Sequence, residues 1–199
     1  MVQTYHFSIH QVYENNLKLD SDVCLDCPLS YTNNDTGKSK CYTHKGLQGL
    51  GLRSMLKRLN KILLTIEPFD KAKFNDFLNF AKSKTPELVR FGTYGEPILL
   101  HIDIVKDLAK LAKHTGYTHQ WNKDSLQCYK EYFMASTHNA FEANIAIDMN
   151  WKVFNTSTLD GAINCPASKE SSYKSTCAKC ALCSGTSGKG KKNIYINLH

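Results

Sequence analysis

The sequence predicts an α/β fold, a mostly parallel sheet forming a partial, open TIM-like barrel with metal-binding cysteine loops at both ends of the chain. Two observations carry this. Short runs of strand character alternate with helical periodicity from about residue 86 to 165, the order that right-handed crossovers turn into a parallel sheet. Seven of the eight cysteines fall in two clusters, one before this region and one at its end.

Tyr5, Phe7 and Ile9 alternate with polar residues, as in a half-buried strand. Asn15-Asn16 marks a turn and Leu17–Val23 a second apolar run. A loop of turn formers, Asn33–Gly37, then returns to Cys41. From Gly51 to Ile66 apolar residues recur at helical spacing, and Pro68 opens a second helix with Phe74, Phe77, Leu78 and Ala81 on one face. Strands are expected at Leu88–Tyr94, Tyr117–Gln120, Tyr132–Ser136, Trp151–Asn155 and Ala162–Cys165. Helices are expected at Ile98–His114, Leu126–Glu131 and Phe141–Met149, with a turn at Thr115-Gly116. A Gly/Ser/Lys stretch, Ser184–Lys192, precedes a last strand through Ile194, Ile196 and Leu198. These fit one domain over 1–199: an N-terminal cysteine loop and basic helix (1–66), a βα core (86–165) and a cysteine tail (165–199).

The start shows neither a basic n-region nor an apolar h-region, and no run approaches the roughly 18 apolar residues of a membrane span. A cytoplasmic protein is expected, in the host cytoplasm if the origin is viral. Thiols stay reduced there, so eight cysteines call for a role other than disulfides. The net charge of +7 is uneven: seven bases and no acid lie between Asp35 and Glu67, and six lysines against one Glu follow from Lys169. Such stretches attract phosphate, so nucleic acid is a candidate partner through the basic helix and tail. A merely solvated basic face is the plainer alternative.

The tail carries the strongest motif. Cys177, Cys180 and Cys183 form C-x2-C-x2-C, with Cys165-Pro166 upstream. Three close thiolates and a remote fourth suit a [4Fe–4S] cluster, while a four-thiolate zinc site is the competitor. Near the N-terminus, Cys24-x2-Cys27 is followed by Cys41 and then His44. All four together read as a closed zinc site; the three cysteines alone would leave a cluster iron open to a small-molecule cofactor or substrate. Cys128 reads as a packed core thiol.

Arg90-Phe91-Gly92-Thr93-Tyr94-Gly95-Glu96-Pro97 places a carboxylate where a strand gives way to a helix. Gly95, Glu96 and Arg90 are candidate cofactor contacts at that edge, although a Glu before Pro also serves simply to open a helix. His119, Trp121, Ser136 and Ser168 stand where expected strands finish, with His119 a candidate acid/base or metal ligand and Ser136 a candidate cofactor contact.

In this order (cysteine triad, helix, Gly95-Glu96-Pro97, βα units, cysteine tail) the chain resembles the radical S-adenosylmethionine enzymes over about residues 20–199. Tyr94 replaces the first glycine of that family's Gly-Gly-Glu-Pro, and C-x2-C-x13-C replaces its C-x3-C-x2-C. The resemblance implies an enzyme with S-adenosylmethionine on an open cluster iron, Glu96 contacting its amine, and an auxiliary cluster on the tail. Gly116–Trp121, Met134-Ala135-Ser136 and Cys165–Ser168 are also similar to segments of small cysteine-rich proteins encoded by phages and plasmids. A zinc-stabilised protein that binds nucleic acid or a host protein is the alternative.

Overall fold

A computed structural model of the chain describes residues 4–7, 24–30, 41, 71–92, 95–188 and 192–197. The expected helix at 51–66, the basic run before it and His44 lie outside the described residues. Within them the fold is mixed α/β, and every strand pairing is parallel.

Strand β1 (Thr4–Phe7) pairs with β2 (Leu88–Phe91), which pairs with β3 (Lys113–Thr115). A second sheet runs β4 (Tyr117–Thr118), β5 (Met134–Thr137), β6 (Val153–Asn155), β8 (Ile194–Tyr195) and β7 (Ile163–Asn164). Only Gly116 separates β3 from β4, so one extended segment belongs to both sheets. Its carbonyl accepts from Met134 N and its N–H donates to the Cys183 carbonyl, both at 3.0 Å. A Cβ here would sit 2.6 Å from the Phe133 ring, so any other residue at the junction must displace that ring.

The helices α1 (Lys71–Ser83), α2 (Ile102–Ala109) and α3 (Ala140–Asp148) fill crossovers between strands. The helix expected over Ile98–His114 is shorter than its apolar pattern suggests. Pro97–Leu99 forms a 3-10 turn, His101 caps α2 by accepting from Asp103 N, and the chain turns at Lys110 to give β3. The turn expected at Thr115-Gly116 is therefore extended backbone. Leu126–Glu131 falls within a 3-10 segment, Asp124–Glu131, and α3 begins where Asn139 accepts from Glu142 N.

The main core joins Val89 and Phe91 to Ile104, Val105 and Leu108 of α2, and Ala135 and Val153 to Ala143 and Ala146 of α3. Burying each larger aliphatic side chain contributes about 1.5–3 kcal/mol. The opposite face of the second sheet is different. There Met134, Ile194, Tyr117, Phe154 and Ile163 meet Cys165, Leu182 and Cys183 of the tail. The cysteine tail is thus packed against a sheet face. No described helix is long and apolar enough to cross a membrane.

Candidate functional site

Residues just beyond β2, β4, β5 and β6 gather at the carboxyl edge of the strands, where parallel sheets place ligands. Glu96 follows β2 and is buried, with Gly95 before it in a left-handed conformation (φ 83°). Its carboxylate accepts from the Thr118 hydroxyl at 2.6 Å and the His119 backbone N–H at 3.1 Å. His119 Nδ1 lies 2.8 Å from Oε1 of the same group, and His119 Nε2 lies 3.9 Å from Cys27 Sγ. The donor atoms of Cys27, Glu96 and His119 all fall within 4.8 Å of one another, a spacing that suits one metal ion.

Local contacts hold the Cys24–Ser30 loop in place. Cys27 N donates to the Cys24 carbonyl and Cys41 N to the Leu29 carbonyl, each at 3.0 Å, so the backbone brings all three N-terminal cysteines to one loop. Leu25 packs on the main core, and Asp26 pairs with Lys123 at 3.2 Å. Behind the loop, the Trp121 indole donates to the Ser136 carbonyl at 3.2 Å, tying the ends of β4 and β5 together. Trp121 is thus a buried brace.

Two residues not foreseen at the strand ends complete the edge. His138 stacks on His119 with ring centroids 5.3 Å apart, and its Nδ1 lies 3.0 Å from Thr156 Oγ1. The expected strand stopped at Ser136, but continuing the alternation by two residues reaches His138. Thr118 escaped notice as an ordinary strand residue.

Burial by itself pushes the His119 imidazole down. Hydrogen bonding and charge from Cys27 and Glu96 outweigh it and raise the group to about 10. Burial, followed by the charge of His119, lowers His138. The two stacked rings are therefore driven in opposite directions.

The four tail cysteines lie near enough to act on one another's charge, apart from this edge, whereas among the described residues only the group Cys27, Glu96 and His119 has its donor atoms within 4.8 Å of one another. Cys165 follows β7, its N–H donating to the Tyr195 carbonyl. Cys177 and Cys180 bracket α4 (Cys177–Cys180), capped by Thr176 and ended by left-handed Ala181. Burial pushes the Cys183 thiol up to about 12; a Tyr117 hydrogen bond opposes this, while charge on Cys165, Cys177 and Cys180 adds to it. Burial raises Cys165 as well, with Cys177 and Cys180 adding to it. A cationic centre would offset the negative charge these cysteines carry as thiolates.

The remaining predicted residues divide plainly. Arg90 is half-buried within β2, its charge acting on Tyr117, rather than at the carboxyl edge. Ser136 is buried in β5, and Ser168 donates to Asn164 Oδ1 in the tail loop. Cys128 is exposed, not packed in the core, because the 3-10 segment carrying it buries Tyr129 instead. The Glu96 side chain is 4% exposed and accepts from three donors on Thr118 and His119. Comparison with protein-family models, curated proteins and solved structures finds no match to this chain.

Proposed function

We propose that this chain is an iron–sulfur metalloenzyme on an open, TIM-like parallel sheet. The tail thiols would hold a cluster, and the N-terminal cysteines would hold a second metal centre at the carboxyl edge. The observation that carries this reading is the meeting of Cys165 and Cys183 in one cluster on the sheet face, with Cys177 and Cys180 on the turn just before Cys183. The C-x2-C-x2-C spacing keeps Cys177, Cys180 and Cys183 close in the chain, and Cys165 packs on the same apolar cluster as Cys183. Three close thiolates and one remote suit a [4Fe–4S] cluster.

The edge site supports an enzyme rather than a purely structural role for metal. A half-buried imidazole lies between a thiol and a carboxylate, and a second imidazole stacks on it. These are groups that bind, orient and move protons on a small molecule. The substrate is therefore expected to be small and to enter beside His119 and His138.

Anaerobic purification with an absorbance spectrum, and iron, sulfide and zinc counted per chain, tests the proposal. A brown protein with iron and sulfide, lost on Cys177→Ser, is the expected result. Zinc alone in a colourless protein from a cluster-competent host would overturn the iron–sulfur assignment.

A further inference from the structure

Cys27, Glu96 and His119 come from three separate stretches, and they meet only because β2 and the β3–β4 segment run side by side. The order of contacts is directional. A neutral imidazole has one donor nitrogen and one acceptor nitrogen. Once a metal ion takes the place of one ring proton, Nδ1, which faces a carboxylate oxygen at 2.8 Å, keeps its proton and the lone pair lies on Nε2. That second nitrogen is the one facing Cys27 Sγ at 3.9 Å.

Sulfur and nitrogen ligands on one tetrahedral ion, at about 2.3 and 2.0–2.1 Å, stand about 3.5 Å apart. The observed gap exceeds this by only a few tenths of an ångström. Metal-bound histidines usually donate their other N–H to a carboxylate, which fixes the tautomer and the ring plane. Glu96 occupies that position and is itself held by the Thr118 hydroxyl and the His119 N–H. Such support is more than a helix-opening Glu needs.

We propose that His119 Nε2 is the nitrogen ligand of the N-terminal metal centre, bound beside Cys27, with Glu96 as the carboxylate that orients it. Cys24 and Cys41, tied to the same loop by backbone hydrogen bonds, are the further thiolates this assignment gives the ion, although among the described residues only the group Cys27, Glu96 and His119 has its donor atoms within 4.8 Å of one another. The ion is one that accepts mixed thiolate and imidazole donors, zinc or iron. His44, the histidine that motif spacing suggests for this role, is then dispensable. The inference rests on the metal reading of the N-terminal cysteines and names the ligand set of that centre.

Metal per chain in the full-length, anaerobically purified protein tests it, with the tail centre as an internal standard for folding. His119→Ala should lose the N-terminal metal and keep the tail metal, and His119→Cys should regain it. Glu96→Gln should keep the metal at saturation but bind it about 10–100-fold more weakly in a chelator titration. His44→Ala should match the parent protein. Full metal content in His119→Ala, or its loss in His44→Ala, overturns the assignment. So does a folded His119→Cys that stays empty, or an iodoacetamide assay in which His119→Ala slows Cys27 alkylation without changing metal content. Cys27→Ser separates the two levels of the reading. If it loses metal while His119→Ala does not, only the histidine assignment falls; if it too keeps its metal, the N-terminal centre falls.

Discussion

His119 Nδ1 and Glu96 Oε1 lie 2.8 Å apart, joining residues 23 positions apart in the chain across neighbouring strands. The same carboxylate takes the Thr118 hydroxyl at 2.6 Å, and Thr118 is fully buried. Thr118→Val keeps the shape of the side chain and removes that donor. It should lower stability by about 1.5–3 kcal/mol, the cost of losing a hydrogen bond to a charged group. Thr118→Ser, which keeps the hydroxyl, should recover much of this. Urea unfolding of the three proteins checks it; equal midpoints for Val and parent would show that Glu96 does not depend on Thr118.

Residue type alone made much of this edge visible. Glu96 after a strand, His119 after another and paired cysteines all announce chemistry. Their partnership was hidden because it depends on β3. Ala109, Leu111 and Ala112 continue the apolar rhythm of α2, so Lys113 and His114 read as more helix and Thr115 as the start of a turn. The fold makes it a strand because β2 needs a neighbour and His114 finds an aromatic slot, its ring centroid 6.0 Å from both Phe91 and Tyr132. Those contacts are non-local, and tertiary pairing overrides local propensity. The parallel order was legible because alternation of strand and helix survives such boundary errors.

His114 makes stability depend on acid. Burial holds its imidazole below the ordinary 6.5, against opposing hydrogen bonds to the backbone of Tyr132 and Ser184, and Nε2 has no partner among the described residues. An unfolded chain binds this proton first. The contribution is therefore complete above pH 6.5 and is lost as pH falls through the lower folded value. His114→Gln, which cannot titrate, should flatten the fall in unfolding free energy, measured by urea titration, between pH 7 and 5, by at most about 1.4 kcal/mol per pH unit. Parallel curves for parent and variant would show that this group does not couple to folding.

Cys128 offers a control for all metal measurements. It is exposed on the Asp124–Glu131 segment. Cys128→Ser should leave metal content unchanged and stability within about 0.5 kcal/mol, as for other surface substitutions. In the metal-loaded parent, mass spectrometry should find Cys128 alkylated before any tail cysteine. Metal loss in this variant would mean that the clustered cysteines are not the whole ligand set.

The tail is stitched to the body at Gly185, two residues after Cys183. Thr186 N–H donates to the Lys130 carbonyl at 2.9 Å and Ser187 N–H to the Glu131 carbonyl at 3.0 Å. Gly185 has φ +64°, and a Cβ there would lie 2.6 Å from the Lys130 carbonyl oxygen. Gly161 provides the comparison, with φ +72° and nothing within 4 Å of its Cβ position. Gly161→Ala should cost about 1–2 kcal/mol from left-handed backbone alone. Gly185→Ala carries the same strain plus an overlap with backbone worth about 1–3 kcal/mol. The tail must shift to relieve it, which moves Cys183 relative to Cys165, Cys177 and Cys180. Gly185→Ala should therefore be the less stable variant in urea and hold less tail metal at equal loading, while Gly161→Ala keeps full metal content. Equal losses of stability and metal in both would show that the stitch at Gly185 does not set the geometry of the tail thiols.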